Sequence, residues 1–466
     1  MFIGRQRELN KLNKMYKSKK LEVAIIYGRR RVGKTTLINH FCKDKAAIYF
    51  VAVENSSQWN LEILSDSIAH FEAANPKEVT GKRLFASFRE ALLHIARLAQ
   101  KQRIILVLDE YPYLAKSEPS ISSLLQSFLD HELKDSQLFL ILCGSSMSFM
   151  ENQVLGYQSP LYGRRTGQFK ILPFDYWETA SWFPNYSLED KAVIYGVTGG
   201  VPLYLEQFKP DLSLKENLIN VIFDCNAMLF EEPGNLLKQE LRDPTSYNMI
   251  ITAIAQGKSK LSEIATSCGM TTGMCTSYVN NLISLGIVKK ETPLTEPKTH
   301  RPIYKIDDMF FRFWYTFVLP NIAAIASGRI VQVFDRVVTD RLSDYMGLCF
   351  ERICKDFLLY YDNQAPFPVK AVGQWWGGNP RTKKQAQLDI VASSLLDDTC
   401  IIGSCKYKNT AVGLEELALI QDYALAMGVF GKHFYYLFSK GGFTKELVAL
   451  DDPALRLLTL RDLYFA

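Results

Sequence analysis

The run Gly28-Arg29-Arg30-Arg31-Val32-Gly33-Lys34-Thr35-Thr36 combines two glycines, a lysine and two hydroxyl residues in a spacing suited to a polyphosphate. Glycines let successive backbone N–H groups curl around phosphate oxygens, a following helix aims its positive end at them, and the lysine reaches the outer phosphates. Thr35 is then placed to hold Mg²⁺. Downstream, Ile104-Ile105-Leu106-Val107-Leu108 runs straight into Asp109-Glu110. An unbroken apolar run suits a strand buried on both faces of a parallel sheet, and such sheets place ligands at the carboxyl ends of their strands. Asp109 would complete the magnesium shell, and Glu110 would orient or deprotonate an attacking water. The expected ligand is ATP with Mg²⁺. The competing accounts are a basic turn capping a helix and a solvated strand end. Arg29, Arg30 and Arg31 put three cations among the phosphates, so some of them must turn outwards, towards a partner or acidic residues.

The elements needed to position these groups are legible around them. Strand-like runs at 21–27, 46–53, 103–109 and 137–143 alternate with helical patterns at 35–43, 58–74, 83–99 and 120–134. That alternation predicts an α/β fold with a parallel sheet covered on both faces. After Leu172-Pro173-Phe174 the pattern turns mostly helical to about residue 243, interrupted at Gly199-Gly200-Val201-Pro202. At 466 residues, with 48% hydrophobic and 22% charged residues, the chain has ordinary globular composition and length for roughly three domains. A net charge of +5 permits a nucleic-acid partner without arguing for one. The nine cysteines form no CxxC pair, which fits reduced thiols. With no apolar leader, and no run near the roughly 18 uninterrupted apolar residues of a membrane helix, the expectation is a cytoplasmic protein without a membrane partner.

Phosphate loop, acidic strand end and helical segment together resemble the archaeal-type ATPase family, a STAND-like branch of the AAA+ superfamily, over most of residues 1–240. The opening Phe2-Ile3-Gly4-Arg5-Gln6-Arg7-Glu8-Leu9 is similar to that family's FxGRxxEL motif, which implies Phe2, Gly4 and Arg5 near adenine and ribose. Ser145, in Cys143-Gly144-Ser145-Ser146, matches a sensor of the γ-phosphate, or else a plain strand-to-turn ending. Arg164 and Arg165 are the arginine-finger candidates, or surface ion-pairing arginines. Gly199-Gly200-Val201-Pro202 resembles the GGxP motif of STAND lids, whose proline faces bound nucleotide. The resemblance implies a slow switch in which a lid converts nucleotide state into a change of exposed surface.

Helical patterns at 245–256, 261–267 and 271–285, followed by a hairpin from 287–290 and 302–306, read as a winged helix-turn-helix. The recognition segment, 271–282, carries no Lys or Arg. Thr276, Ser277, Tyr278 and Asn280 could touch phosphates, and the wing offers Lys289, Lys290, Lys298, His300 and Arg301. DNA contact and a purely architectural or protein-docking wing are both open.

Beyond it, a helix at 341–361, strands near 367–376, 387–393 and 400–406, a helix at 414–427 and a strand at 433–438 resemble the PD-(D/E)XK restriction-endonuclease-like fold. The resemblance implies Glu351, Asp389 and Lys406 as site residues, with Asp389 a Mg²⁺ ligand and Lys406 beside the scissile phosphate. Ser404 stands where the second acid belongs, and a hydroxyl is a poor substitute for a carboxylate on a hard cation. Gln387 replaces another acid of the pattern. Trp375 and Trp376 could stack or pack, with packing favoured. The expected division is 1–172 P-loop ATPase core, 173–243 helical lid, 244–318 winged helix, and 319–466 restriction-endonuclease-like domain. Three functions follow: an ATP-hydrolysing switch coupled to a DNA-associated tail, a nucleotide-gated protein scaffold, or an ATP-controlled Mg²⁺-dependent endonuclease. A homo-oligomer or a protein partner is compatible with each.

Overall fold

A computed structural model describes residues 2–73, 84–296 and 302–465. Lys298, His300 and Arg301 of the wing lie outside the described residues. The chain divides into two compact units, Met1–Pro173 and Phe174–Ala466.

In the first unit, strands β1 (Glu22–Tyr27), β2 (Ala47–Val51), β3 (Ile104–Asp109), β4 (Leu138–Gly144) and β5 (Gly167–Lys170) form one sheet in the order β2-β3-β4-β1-β5. Every pairing is parallel. All residues of β3 and β4 are buried, which is why both are continuous apolar runs. Crossover helices cover both faces, and one of them, Phe88–Lys101, starts later than the 83–99 expectation. Its boundary is set by Ser87, whose side chain accepts from Glu90 N, while Glu90 accepts from Ala86 N. The fifth strand was not foreseen: Gly167-Gln168-Phe169-Lys170 is a strand because β1 offers it a free edge.

In the second unit one hydrophobic core runs from Phe174 through Phe310, Phe313 and Phe350 to Tyr464. The helices that follow Phe174, the helices and hairpin between Pro244 and Ile306, and the helix Thr339–Tyr360 share it. Within the helical part, Gly199 ends the helix Leu188–Thr198 in the left-handed region. Gly200 follows at φ 69°, and a Cβ there would sit 1.9 Å from Phe174 O. Phe174 N in turn donates to Gly200 O at 2.8 Å, so the backbone approach is locked from both sides. Gly200→Ala should therefore destabilise the second unit by about 2 kcal/mol or more, read as a lower midpoint for its transition in thermal unfolding. An unchanged melt would show that the two strands of chain separate there at little cost.

Helices Pro244–Ala255, Leu261–Ser267 and Thr272–Ser284 precede an antiparallel hairpin of β6 (Val288–Glu291) and β7 (Ile303–Ile306). This hairpin is docked: Leu294 N donates to Gln374 O at 2.9 Å, and Lys305 Nζ donates to Gln374 Oε1 at 2.8 Å. Gln374 belongs to β8 (Val369–Gly378), the edge of a second sheet ordered β12-β11-β10-β9-β8. Strands β9 (Gln385–Ser394) and β10 (Thr399–Lys406) are antiparallel, whereas β10, β11 (Lys432–Ser439) and β12 (Leu455–Thr459) run parallel. The two faces are sorted by strand alternation, reset in β9 by an irregularity in its pairing with β8 between Leu388 and Val391. Ile390, Ala392 and Ile401 pack with the helix Thr339–Tyr360, while Leu388, Val391 and Ile402 pack with the helix Leu414–Met427. Strand β12 had no counterpart in the sequence reading. By length and composition, Met309–Ala326 is the one stretch among the described residues able to cross a membrane, and half of it is buried in the core. Arg312 interrupts its apolar run, which is why the sequence reading saw no span there.

Candidate functional site

The phosphate loop leaves β1 at Gly28 because nothing larger fits: a Cβ there would lie 2.2 Å from Ile171 O. The chain then turns through Arg31 (φ 73°) and Gly33 (φ 82°), and Gly33 is the N-cap of the helix Lys34–Cys42. Val32 is fully buried, and Arg29, Arg30 and Arg31 are half-buried. Arg30 donates to Tyr113 Oη at 3.0 Å. The Lys34 ammonium folds back on the loop, donating to Gly28 O at 3.0 Å and Arg29 O at 2.9 Å. Burial lowers its pKa, with Asp109 and Glu110 pulling in the other direction.

Asp109 ends β3 as a buried carboxylate gripped on both oxygens. Oδ2 accepts from Thr35 Oγ1 at 3.1 Å and from Tyr49 Oη at 2.8 Å, and Oδ1 accepts from Glu110 N at 2.9 Å. Thr35 and Asp109, the two expected magnesium contacts, thus converge. Hydroxyl and carboxylate oxygens are the donors that a hard cation beside phosphates takes, so these residues fit Mg²⁺. Tyr49 was missed by sequence reasoning. Its signal was the β2–β3 pairing, since Val51 pairs with Asp109 and Tyr49 lies two residues earlier on the same face. Burial first, and then the neighbouring Asp109 charge, push the Tyr49 phenol far up, keeping it a neutral donor.

Glu110 adopts φ 50° and accepts from Ser145 Oγ on both carboxylate oxygens, at 3.2 and 3.0 Å. The sensor candidate and the water-activating candidate are therefore in direct contact. Thr36 is exposed on the first helical turn.

Arg5 is tied to the loop itself. Its buried guanidinium donates to Val32 O at 3.0 Å and Leu172 O at 2.6 Å, clasping the phosphate loop from behind. Phe2 stacks on His40 with centroids 4.1 Å apart, and Gly4 sits at φ 72°. Arg164 makes a bidentate pair with Asp130 (Nε to Oδ1 2.8 Å, Nη2 to Oδ2 2.7 Å). That pairing favours the surface reading for Arg164 and leaves half-exposed Arg165 as the more available guanidinium. Pro202, in the second unit, is buried at the start of the short helix Pro202–Leu205.

The second unit holds another polar site. A cavity of about 520 Å³ is lined by Lys305, Gln374, Asp389, Ser404, Lys406 and Glu416, among others. Asp389 Oδ2 accepts from Cys405 N at 3.0 Å, and burial raises its pKa. Lys406 lies 3.0 Å from Glu416 Oε1; burial pulls its pKa down, and Glu416 more than reverses that. Glu351 is not in this cavity. It lines a neighbouring one and is linked to the first through Gln374, whose Nε2 donates to it. Trp375 packs in the core, and Trp376 lines the cavity half-buried. Among the described residues no three His, Cys, Asp or Glu side chains converge as a ready metal cluster. Mg²⁺ needs fewer, since it is commonly held by one or two carboxylates plus waters and phosphate oxygens.

Burial, then Asp389, raises Glu351 from 4.5 to about 7, against Lys355 and Lys305. A carboxyl with a raised folded pKa binds its proton more tightly folded than unfolded. Its contribution is complete below pH 4.5 and disappears as pH rises to 7, on the order of 3 kcal/mol. Urea unfolding of the wild type should lose stability across that window relative to Glu351→Gln, and parallel curves would refute the burial argument.

On the helix Thr272–Ser284, Tyr278 Oη donates to Asp243 Oδ2 at 3.0 Å, which turns it inwards, and Thr276 Oγ1 donates to Thr272 O. Ser277 and Asn280 remain exposed. Lys289 pairs with Glu291 and Asp307, whereas Lys290 is exposed.

Comparison with known proteins places this geometry. A family profile described as an ATPase domain predominantly from Archaea matches residues 2–208, and another, describing archaeal and bacterial proteins of unknown function, matches 314–417. An uncharacterized protein of Methanocaldococcus jannaschii is 33% identical over 413 residues, covering 88% of each chain. An uncharacterized ATP-binding protein of the same organism is 47% identical over 45 residues, 10% of this chain and 76% of its own. The solved Walker-type ATPase of Pyrococcus abyssi shares the fold, with TM-score 0.53 at 20% identity over 67% of this chain and 96% of that one. With the phosphate loop inside the matched segment and a relative aligned over most of its length, this chain belongs to the family of ATPases found predominantly in Archaea.

Proposed function

We propose that this ATPase is a molecular switch whose nucleotide state governs a nucleic-acid-associated C-terminal unit. The observation that carries the switch is the double use of the catalytic groups. Lys34 is held by loop carbonyls and Glu110 by Ser145, and both must exchange those partners to serve a triphosphate. In this reading Lys34 binds the outer phosphates, Thr35 and Asp109 hold Mg²⁺, and Glu110 orients or deprotonates the attacking water. Magnesium bound there would screen phosphate charge. Tyr49 keeps Asp109 aimed. Arg165 would reach the developing negative charge from a neighbouring copy.

The output side rests on the cavity lined by Asp389 and Lys406 and on the wing seated at its rim. The test is a DNA-binding titration with ATP, ADP or no nucleotide at several salt concentrations. Nucleotide-dependent retention, with log affinity falling by about 0.9 per phosphate contact for each unit of log salt, supports the reading. Absence of retention at low salt in every nucleotide state overturns it. The inward-turned Tyr278 and the uncharged recognition helix favour one alternative, a nucleotide-gated scaffold that docks protein through the winged helix.

A further inference from the structure

We propose that Glu416 supplies the carboxylate missing at position 404, forming with Asp389 a divalent-cation site for a nucleic-acid phosphate. The inference deepens the nucleic-acid reading of the C-terminal unit and rests on it for the phosphate, but not for the cation.

Ser404 and Lys406 lie two apart on β10 and so share a face. Glu416, in the first turn of the helix Leu414–Met427, reaches down onto that face with one oxygen. Its Oε1 accepts from Ser404 Oγ at 2.6 Å and lies 3.0 Å from Lys406 Nζ. A carboxylate therefore stands over the serine, beside the lysine, where an acid on residue 404 would have projected. Asp389 comes from the adjacent strand. The antiparallel register pairs Ile390 with Gly403, and Asp389, the next residue of β9, accepts from Cys405 N on β10 at 3.0 Å, which brings it beside Ser404 and Lys406 in the same cavity. Each acid keeps an oxygen, Asp389 Oδ1 and Glu416 Oε2, that makes no hydrogen bond among the described residues.

The surrounding cavity has room for a cation, its waters and a phosphate. Two carboxylates with free oxygens suit Mg²⁺ or Mn²⁺, and Lys406 and Lys305 provide the positive wall a phosphodiester needs. Ser404 is then a positioning residue, fixing the Glu416 rotamer from below.

The experiment follows Mn²⁺ uptake by electron paramagnetic resonance in the full chain without nucleotide. An Asp109→Asn background removes the cation contact at the phosphate loop. Glu416→Gln is expected to weaken uptake about tenfold or more, and Asp389→Asn to do the same. Ser404→Asp added to Glu416→Gln is expected to restore affinity to within a few-fold, because it returns the acid to the strand. Unchanged uptake in Glu416→Gln overturns the proposal, as does absence of uptake in the parent. A loss that Ser404→Asp does not repair also overturns it, marking Glu416 as structural. DNA retention measured in parallel reports on the nucleic-acid reading alone: its failure beside intact, Glu416-dependent Mn²⁺ uptake would remove the phosphate and leave the cation site.

Discussion

Lys34→Ala will leave the chain folded and take away its nucleotide. The ammonium is almost completely buried and makes two hydrogen bonds to carbonyls of its own loop, at 3.0 and 2.9 Å. Those carbonyls occupy the ammonium only until phosphate oxygens arrive, which are stronger acceptors because they are charged. Burial lowers the Lys34 pKa, so it has more to gain from an anion than a solvated lysine would. Two charge-assisted bonds at about 1.5–3 kcal/mol each correspond to roughly 10²–10⁴ in affinity. Removing the loop's internal bonds costs far less, about 1–2 kcal/mol, because methyl replaces a group that other backbone contacts do not need. Calorimetry with MgATP should therefore show no saturable heat for the variant, while its thermal unfolding stays close to wild type. Binding within about threefold of wild type would remove Lys34 from the site.

How much of this was open to sequence reasoning depends on whether a contact is local. The phosphate loop and β3 are legible because each is a contiguous string whose residue types answer to one demand, phosphate in the first case and burial on two faces in the second. Strand β5 offers only four residues, Gly167-Gln168-Phe169-Lys170, and its identity comes from a β1 edge more than a hundred residues earlier. Strand β12, Leu455–Thr459, similarly borrows its state from β11. Tyr49 and Glu416 were invisible for a related reason. Neither belongs to a motif, and each meets its partner only after a sheet has paired or a helix has packed across it. Arg5 is the reverse case. Its motif is plain in the sequence, yet the side chain holds Val32 O and Leu172 O, a structural duty that spacing alone does not reveal. The docking of the β6–β7 hairpin could not be read either, since Lys305 and Gln374 lie far apart in the chain and join through tertiary packing.

Glu110→Gln will separate binding from turnover. The amide has the shape of the carboxylate, and its oxygen can still accept from Ser145 Oγ, so the loop and the strand end keep their arrangement. Nothing in the grip on Asp109 depends on the Glu110 side chain, because Oδ1 is held by the Glu110 backbone N–H and Oδ2 by Thr35 and Tyr49. MgATP affinity should therefore stay within about threefold of wild type. Turnover should not survive. An amide cannot take a proton from water, and positioned general bases contribute about 10²–10⁴ in rate. Single-turnover hydrolysis should fall by at least two orders of magnitude, roughly 3 kcal/mol of barrier. The left-handed backbone at Glu110 adds a second expectation: φ 50° aims the side chain at Ser145. Ser145→Ala should alter the hydrolysis step while sparing affinity, because the hydroxyl that holds Glu110 is not among the groups gripping Lys34, Thr35 or Asp109. If Glu110→Gln hydrolyses ATP within about fivefold of wild type, water is activated by another residue, and the contact between Ser145 and Glu110 is structural.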